Sequence, residues 1–150
     1  SGSDLAWPMV TGTRENASWA QERGGEGEFE IRNCSALELS EIWSGPFDGF
    51  AFDPPYGRNA WKSTDGFDLL EGALSACNSV ATENANLVTL LPWPPSAIFE
   101  SIESGTSFGK SWVEISDAFT SAGWQIISTT PIRVHRSLAR MLIHAKKIVK

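Results

Sequence analysis

Residues 50–61 read FAFDPPYGRNAW, an apolar run that ends in an acid, two prolines and an aromatic. Consecutive prolines hold φ near about −65° and carry no N–H, so their carbonyls stand as rigid acceptors. Asp53 adds a carboxylate acceptor beside Pro54 and Pro55, and Tyr56 adds a flat ring able to stack on a planar ligand. Gly57 permits a sharp turn, and Arg58 follows it. Two acceptors beside an aromatic platform suit an exocyclic amine on a planar base. They would hold its hydrogens and aim the nitrogen lone pair at an electrophile, so the chemistry would rest on orientation and electrostatics. The bland reading is a proline-rich strand terminator with an incidental acid.

The elements that must position this loop alternate between strand and helix. A strand stub ends at Asp4, and a helix follows from about Trp7 to Arg23, with Pro8 in its first turn and Gly24-Gly25 at its stop. EFEIRNCS alternates as a half-buried strand, ALELSEIW reads as a short helix, and FDGFAFD reads as a more central strand. DGFDLLEGALSACNSVATE is helical, with Phe67, Leu70, Ala73, Leu74, Cys77 and Val80 on one side. ANLVTLLP is a buried strand, while PPSAIFESIESG and SWVEISDAFTSAGW read as amphipathic helices. WQIISTTPIRV and LARMLIHAKKIV form two strands joined through HRS, tight enough to be antiparallel. The fold class is therefore α/β: a parallel, Rossmann-like sheet finished by an antiparallel hairpin, as one domain over residues 1–150. Ligands in such sheets bind beyond the carboxyl ends of the strands. Asp4, Cys34-Ser35, Asp53 and Pro92 fall there and are expected along one rim.

Composition bounds the function classes. The charge is −6, yet all 18 acidic residues lie at or before Asp117, while six of the 12 Lys and Arg lie between Arg133 and Lys150. A basic tail on an acidic body suits an anionic partner; charged strand edges that resist aggregation are the plain alternative. No apolar run approaches the roughly 18–20 residues that span a bilayer, so no membrane role is expected. Cys34 and Cys77 read as buried free thiols in a reducing, cytoplasmic setting. The two His and two Cys show no zinc spacing. Trp93, set between prolines, reads as a cap over the core or as a lid over substrate. Arg58, Trp61 and Lys62 lie either in a closing loop or in an ordinary surface loop.

DPPYG after an apolar strand resembles the amine-methylation motif of class I S-adenosylmethionine-dependent methyltransferases. Extended to DPPYGRNA, and joined by GSDLAWPMVTGTRENA and the ending IRVHRSLARMLIHAKK, it is similar to the tRNA guanine-N2 methyltransferases, above all the archaeal type acting at tRNA position 10. The resemblance covers nearly the whole chain and implies S-adenosylmethionine as cofactor and tRNA as partner. It places Asp4 on the ribose hydroxyls, with Cys34, Ser35 and Asp53 also on the cofactor side. Asp53 and the Pro54 carbonyl would hold the guanine amine, with Pro55 and Tyr56 completing the catalytic loop. Gly57, Arg58, Arg133, His135, Arg136 and Arg140 would face substrate or RNA.

Two departures accompany the resemblance. Ser35 stands where the family usually has an acid toward adenine, and the family's first strand and glycine loop, expected before Gly2, are not in the sequence. The expectation is a catalytic domain truncated at its amino-terminal edge, missing the amino-terminal region of the same enzyme and inactive alone. Its open sheet edge would pair with another chain, for example in a homodimer. An adenine-N6 methyltransferase and a non-catalytic folded fragment are the rival readings.

Overall fold

The computed structural model describes residues 1–55 and 66–149, so Tyr56, Gly57, Arg58, Trp61 and Lys62 lie outside the described residues. β1 (Gly2–Asp4) pairs in parallel with β2 (Ile31–Asn33), and α1 (Trp7–Glu22) connects them. After a 3-10 turn and the short α2 (Leu39–Ile42), β3 (Phe47–Phe52) leads to α3 (Gly66–Ser79) and β4 (Ala81–Trp93), which pairs with β3 in parallel. β5 (Thr106–Ser107) and β6 (Lys110–Ser111) form a small hairpin before α4 (Trp112–Ser121). β7 (Trp124–His135) and β8 (Leu138–Lys147) close the chain, and the order of the larger sheet is β3-β4-β8-β7. β8 runs antiparallel to both neighbours. Parallel βαβ units finished by an antiparallel hairpin match the expected class.

Local sequence accounts for these boundaries. Pro8 sits in the first turn of α1, and Gly24, at φ +85°, takes the left-handed conformation that ends the helix. Ser111 begins α4 with a reciprocal capping box, its hydroxyl accepting from the Glu114 N–H while the Glu114 carboxylate accepts from the Ser111 N–H at 2.8 Å. α3 ends at Ser79, where Lys147 Nζ donates to the carbonyls of Asn78 and Ala81, both at 2.9 Å. Val80 is in a turn, and Ala81, Thr82 and Glu83 join β4 instead of extending the helix.

The core lies between α3, α4 and one face of the larger sheet. β4 turns Ala85, Leu87, Thr89, Leu91 and Trp93 to that face, opposite Ala145, Ile143, Met141 and Ala139 of β8. α3 covers them with Phe67, Leu70, Leu74 and Cys77, and α4 with Ile115, Ala118 and Phe119. Three- and four-residue spacing puts each helical set on one stripe, and two-residue spacing does the same for the strands.

Three boundaries differ from the sequence expectations. Residues 94–105 form two short 3-10 turns, Pro95–Phe99 and Ile102–Ser104, where a helix is expected. Glu100 and Ser101 are extended between them, and Gly105 is drawn against the Trp93 ring, which breaks the periodic stretch. β2 keeps only three residues because its partner β1 has three. The third difference is the sheet itself: β1-β2 is a separate two-stranded unit, unpaired with β3. No helix of the described residues is long and apolar enough to cross a membrane.

Candidate active site

β1 delivers Asp4 to its carboxyl end. One carboxylate oxygen of Asp4 accepts from the Ala6 N–H at 2.7 Å, and the side chain stays exposed. The Asp4 carbonyl accepts from the Cys34 N–H at 3.2 Å and from Asn33 Nδ2 at 2.9 Å. Asn33 Nδ2 also reaches the Leu5 carbonyl at 2.8 Å, so it stitches the ends of β1 and β2 together. Cys34 turns its thiol inward and is 6% exposed. Ser35, half-buried, spends its hydroxyl oxygen on the Leu37 N–H at 3.2 Å as a cap. Asp4, Cys34 and Ser35 therefore gather at the carboxyl ends of β1 and β2, while Asp53 and Pro92 belong to the other sheet. Asn33, whose amide joins β1 to β2, carries no motif in the sequence.

β3 delivers Asp53 to its own carboxyl end, with Pro54 buried and Pro55 exposed. The Asp53 side chain is 48% exposed, and Arg140 is the hydrogen-bond partner of its carboxylate among the described residues. Arg140 lies on β8 opposite Pro92 of β4, and β4 stands between β8 and β3. Its side chain thus crosses roughly two strand spacings, ~9–10 Å, over a proline to reach the acid. Sequence reasoning named both residues but not the pair. The antiparallel register that joins them depends on long-range pairing no local pattern encodes.

Arg133, His135 and Arg136 are exposed on the β7–β8 hairpin. His135 Nδ1 lies 3.3 Å from the Ser137 N–H, while Arg133 and Arg136 make no hydrogen bond or ion pair among the described residues. They flank Arg140 along the hairpin, because Ile132 pairs with Arg140 and Arg133 with Ala139. Tyr56, Gly57 and Arg58 of the expected site lie outside the described residues. Among the described residues no cluster of His, Cys, Asp and Glu could hold a metal ion.

A groove of about 190 Å³ runs between the two sheets, lined by Ser1, Gly2 and Ser3 on one side and by Gly49, Phe50 and Ala51 on the other. β1 spends one edge on β2 and β3 spends one edge on β4, so the remaining edge of each faces this groove. Its floor carries Trp43 and Cys77, which makes it apolar, and it runs beside the rim without including Asp4 or Asp53. Among the described residues β1 pairs only with β2 and β3 only with β4, and such strand edges are a template for a further strand.

No protein-family model and no curated protein matches the sequence. Solved structures do. The chain is similar to magnesium protoporphyrin IX methyltransferase with bound SAM from Synechocystis PCC 6803, at 15% identity and a TM-score of 0.61, over 97% of this chain and 58% of that one. It is similar to a mutant of the 16S rRNA (adenine(1408)-N(1))-methyltransferase from Catenulisporales acidiphilia, at 18% identity and a TM-score of 0.64, over 99% and 72%. TrmN from Thermus thermophilus matches at 12% identity and a TM-score of 0.63, over 97% of this chain and 35% of that one. The chain therefore spans little more than half of the protoporphyrin enzyme and about a third of TrmN. Likeness at this identity fixes the fold: the chain has the mixed α/β fold of class I S-adenosylmethionine-dependent methyltransferases.

Proposed function

We propose that this chain carries the amine-holding and ribose-holding sides of an S-adenosylmethionine-dependent methyltransferase whose substrate is the exocyclic N2 amine of a guanine in tRNA. The observation that carries the reading is the Asp53-Pro54-Pro55 segment, set at the carboxyl end of β3 with a half-exposed carboxylate. The fit to the cofactor rests on Asp4. Its second carboxylate oxygen makes no hydrogen bond among the described residues and is open to a vicinal diol. When bound, S-adenosylmethionine supplies an electrophilic methyl group.

The protein's own residues do the rest. Asp53 and the Pro54 carbonyl accept the two amine hydrogens and draw the nitrogen toward tetrahedral geometry. The carboxylate also offsets the positive charge that grows on that nitrogen. Tyr56 stacks the base, by the resemblance of DPPYG. Arg133, His135 and Arg136 offer the adjoining tRNA phosphates a basic finger. Two buried free thiols suit a reducing, cytoplasmic setting.

The facing edges of β1 and β3 favour a qualification. The working enzyme has a further strand in that groove, and the 150-residue chain alone is inactive. Sedimentation velocity tests it: a concentration-dependent dimer would instead assign the groove to a second copy of this chain.

Calorimetric titration of S-adenosylmethionine into the chain tests the cofactor side. Saturable micromolar binding supports a self-sufficient cofactor site, and no detectable heat removes it from this chain by itself. Nucleoside analysis of tRNA incubated with a form that binds cofactor tests the substrate. N2-methylguanosine is expected, and N6-methyladenosine would replace guanine with adenine as the target.

A further inference from the structure

Phe108 is the one non-glycine residue among the described residues with a left-handed backbone, at φ +54°, and Gly109 follows it at +74°. Ser107 pairs with Lys110, so these two residues form the whole turn of the β5–β6 hairpin, with both of its positions left-handed. Asn-Gly is the pair that such a turn favours, and a bulky aromatic at its first position is strained. The ring gives the reason for its presence. It lies over Gly66, the first residue of α3, where a Cβ would come 2.4 Å from Cδ1 and 2.6 Å from Cε1 of Phe108. Beside it, Lys110 Nζ stands 5.2 Å from the centre of the Phe67 ring and 3.3 Å from Glu114. The hairpin thus grips the first turn of α3 at two successive residues.

That turn lies at the end of the sheet where the candidate site is built. β3 and β4 run parallel, so α3 between them runs back and begins at the end where both strands finish, the end that carries Asp53. We propose that Phe108 is a positioning residue: its ring fixes the α3 end of the connection that leaves Asp53-Pro54-Pro55, and with it the aim of the Asp53 carboxylate and the Pro54 carbonyl. This deepens the proposed function and rests on its amine-holding reading. Two acceptors that serve the two hydrogens of one amine must be held to within about 0.5 Å. Pairing of β3 with β4 holds the connection from one side, and the hairpin holds it from the other. Strained backbone persists where the surrounding structure enforces it, and it collects at functional sites.

The probes are two labelled single-stranded RNA 12-mers, identical except that one carries guanosine where the other carries inosine, which lacks only the N2 amine. Fluorescence anisotropy with the full 150-residue chain reads both affinities. The parent chain is expected to prefer the guanosine RNA about ten-fold, the scale of hydrogen bonds to a charged acceptor. Phe108→Asn removes the ring and restores the favoured Asn-Gly turn. It is expected to stay folded, to bind the inosine RNA as the parent does, and to lose the preference for guanosine. Phe108→Tyr keeps the ring and is expected to keep the preference. Gly66→Ala drives a methyl group into the ring and is expected to lose the preference as well.

A folded Phe108→Asn that still prefers guanosine would overturn the positioning role while leaving the amine reading in place. An equal loss of affinity for both RNAs would do the same, because it marks a general packing role. Should Phe108→Asn fail to fold, Gly66→Ala decides by the same comparison, and failure of both to fold would make the contact a requirement of the fold and overturn the proposal. A parent chain that binds both RNAs equally, or neither, would overturn the amine reading and the positioning role with it.

Discussion

The indole N–H of Trp124 donates to the Leu74 carbonyl at 2.9 Å, joining the first residue of β7 to the middle of α3 inside the core. Trp124 is fully buried, and Phe50 of β3 meets its ring edge-on at 5.9 Å between centroids. One side chain thus ties the closing hairpin, the helix after the Asp-Pro-Pro segment, and the strand that carries Asp53. Trp124→Phe keeps a ring but removes the donor and leaves a buried void. It is expected to cost about 1–3 kcal/mol, and Trp124→Ala about 3–5 kcal/mol. Urea denaturation checks both, as a lower midpoint at unchanged slope.

Two glycine-to-alanine changes should move stability in opposite directions. A Cβ at Gly105 would lie 2.0 Å from Cζ2 of Trp93 and 2.3 Å from its Cε2, and that ring is 4% exposed. A rigid buried indole cannot step aside, so Gly105→Ala should destabilise by at least about 1–3 kcal/mol and perturb the tryptophan fluorescence. Gly12 lies within α1, and a Cβ added there would meet nothing within 4 Å. Gly12→Ala should stabilise by about 0.5–1 kcal/mol. Thermal unfolding of the two variants beside the parent chain reads both signs.

Much of this architecture is legible locally, and the reasons are physical. Pro8 and Gly24 bound α1 because one fixes a helical φ and the other tolerates a left-handed one. Phe67, Leu70, Leu74 and Cys77 announce α3 because helical spacing stacks them on one stripe. The segment 94–105 misleads because its spacing is helical, while the close approach of Gly105 to Trp93 is a tertiary demand that spacing does not express. The site divides in the same way. Asp4, Ser35 and Asp53 sit at strand ends and are readable as rim residues. The Asp53–Arg140 contact spans 87 positions and needs the β4–β8 register, and Asn33 stitches β1 to β2 through an amide of ordinary sequence context.

Burial pushes the Cys77 thiol up to about 12 from an ordinary 9.0. The folded chain therefore keeps its proton where the unfolded chain releases it. Between pH 9 and 12 the unfolded state binds fewer protons, so stability falls as pH rises. The slope approaches about 1.4 kcal/mol per pH unit from this group alone. Below pH 9 the group contributes no slope. Cys77→Ala should lower stability at neutral pH through lost packing, yet flatten its decline between pH 9 and 11. Denaturation midpoints of parent and variant across that range check the difference, and parallel curves would sink it.

The capping box predicts a decline at the opposite end of the pH scale. The Ser111 N–H and hydroxyl, followed by Lys110, hold the Glu114 carboxyl below its ordinary 4.5. A depressed folded value means that its stabilisation is present above the unfolded value and is lost as pH falls through the lower folded one. Ser111→Ala should cost about 1 kcal/mol at neutral pH, and less once Glu114 is protonated. Helix content, read by circular dichroism, should therefore differ less between parent and variant at acid pH, once Glu114 is protonated, than at pH 7.

Asp4 and Asp53 should separate cofactor capture from chemistry, because they end different strands and make different contacts. Asp4 is anchored through one oxygen on the Ala6 N–H, and its other carboxylate oxygen makes no hydrogen bond among the described residues. Asp4→Ala should weaken S-adenosylmethionine binding about ten-fold or more, in keeping with the loss of charge-assisted hydrogen bonds worth about 1.5–3 kcal/mol. Asp53 is hydrogen-bonded by Arg140 among the described residues and lies at the end of a different strand, β3. Asp53→Ala should leave cofactor affinity within about two-fold and lower methyl transfer by about 10²–10³, the scale of removing one preorganised electrostatic contact. Calorimetry and methyl transfer to tRNA are measured on the same preparations, in whichever assembly binds cofactor. Equal losses of cofactor affinity in both variants would refute the division of labour, and unchanged turnover in Asp53→Ala would remove that carboxylate from the chemistry.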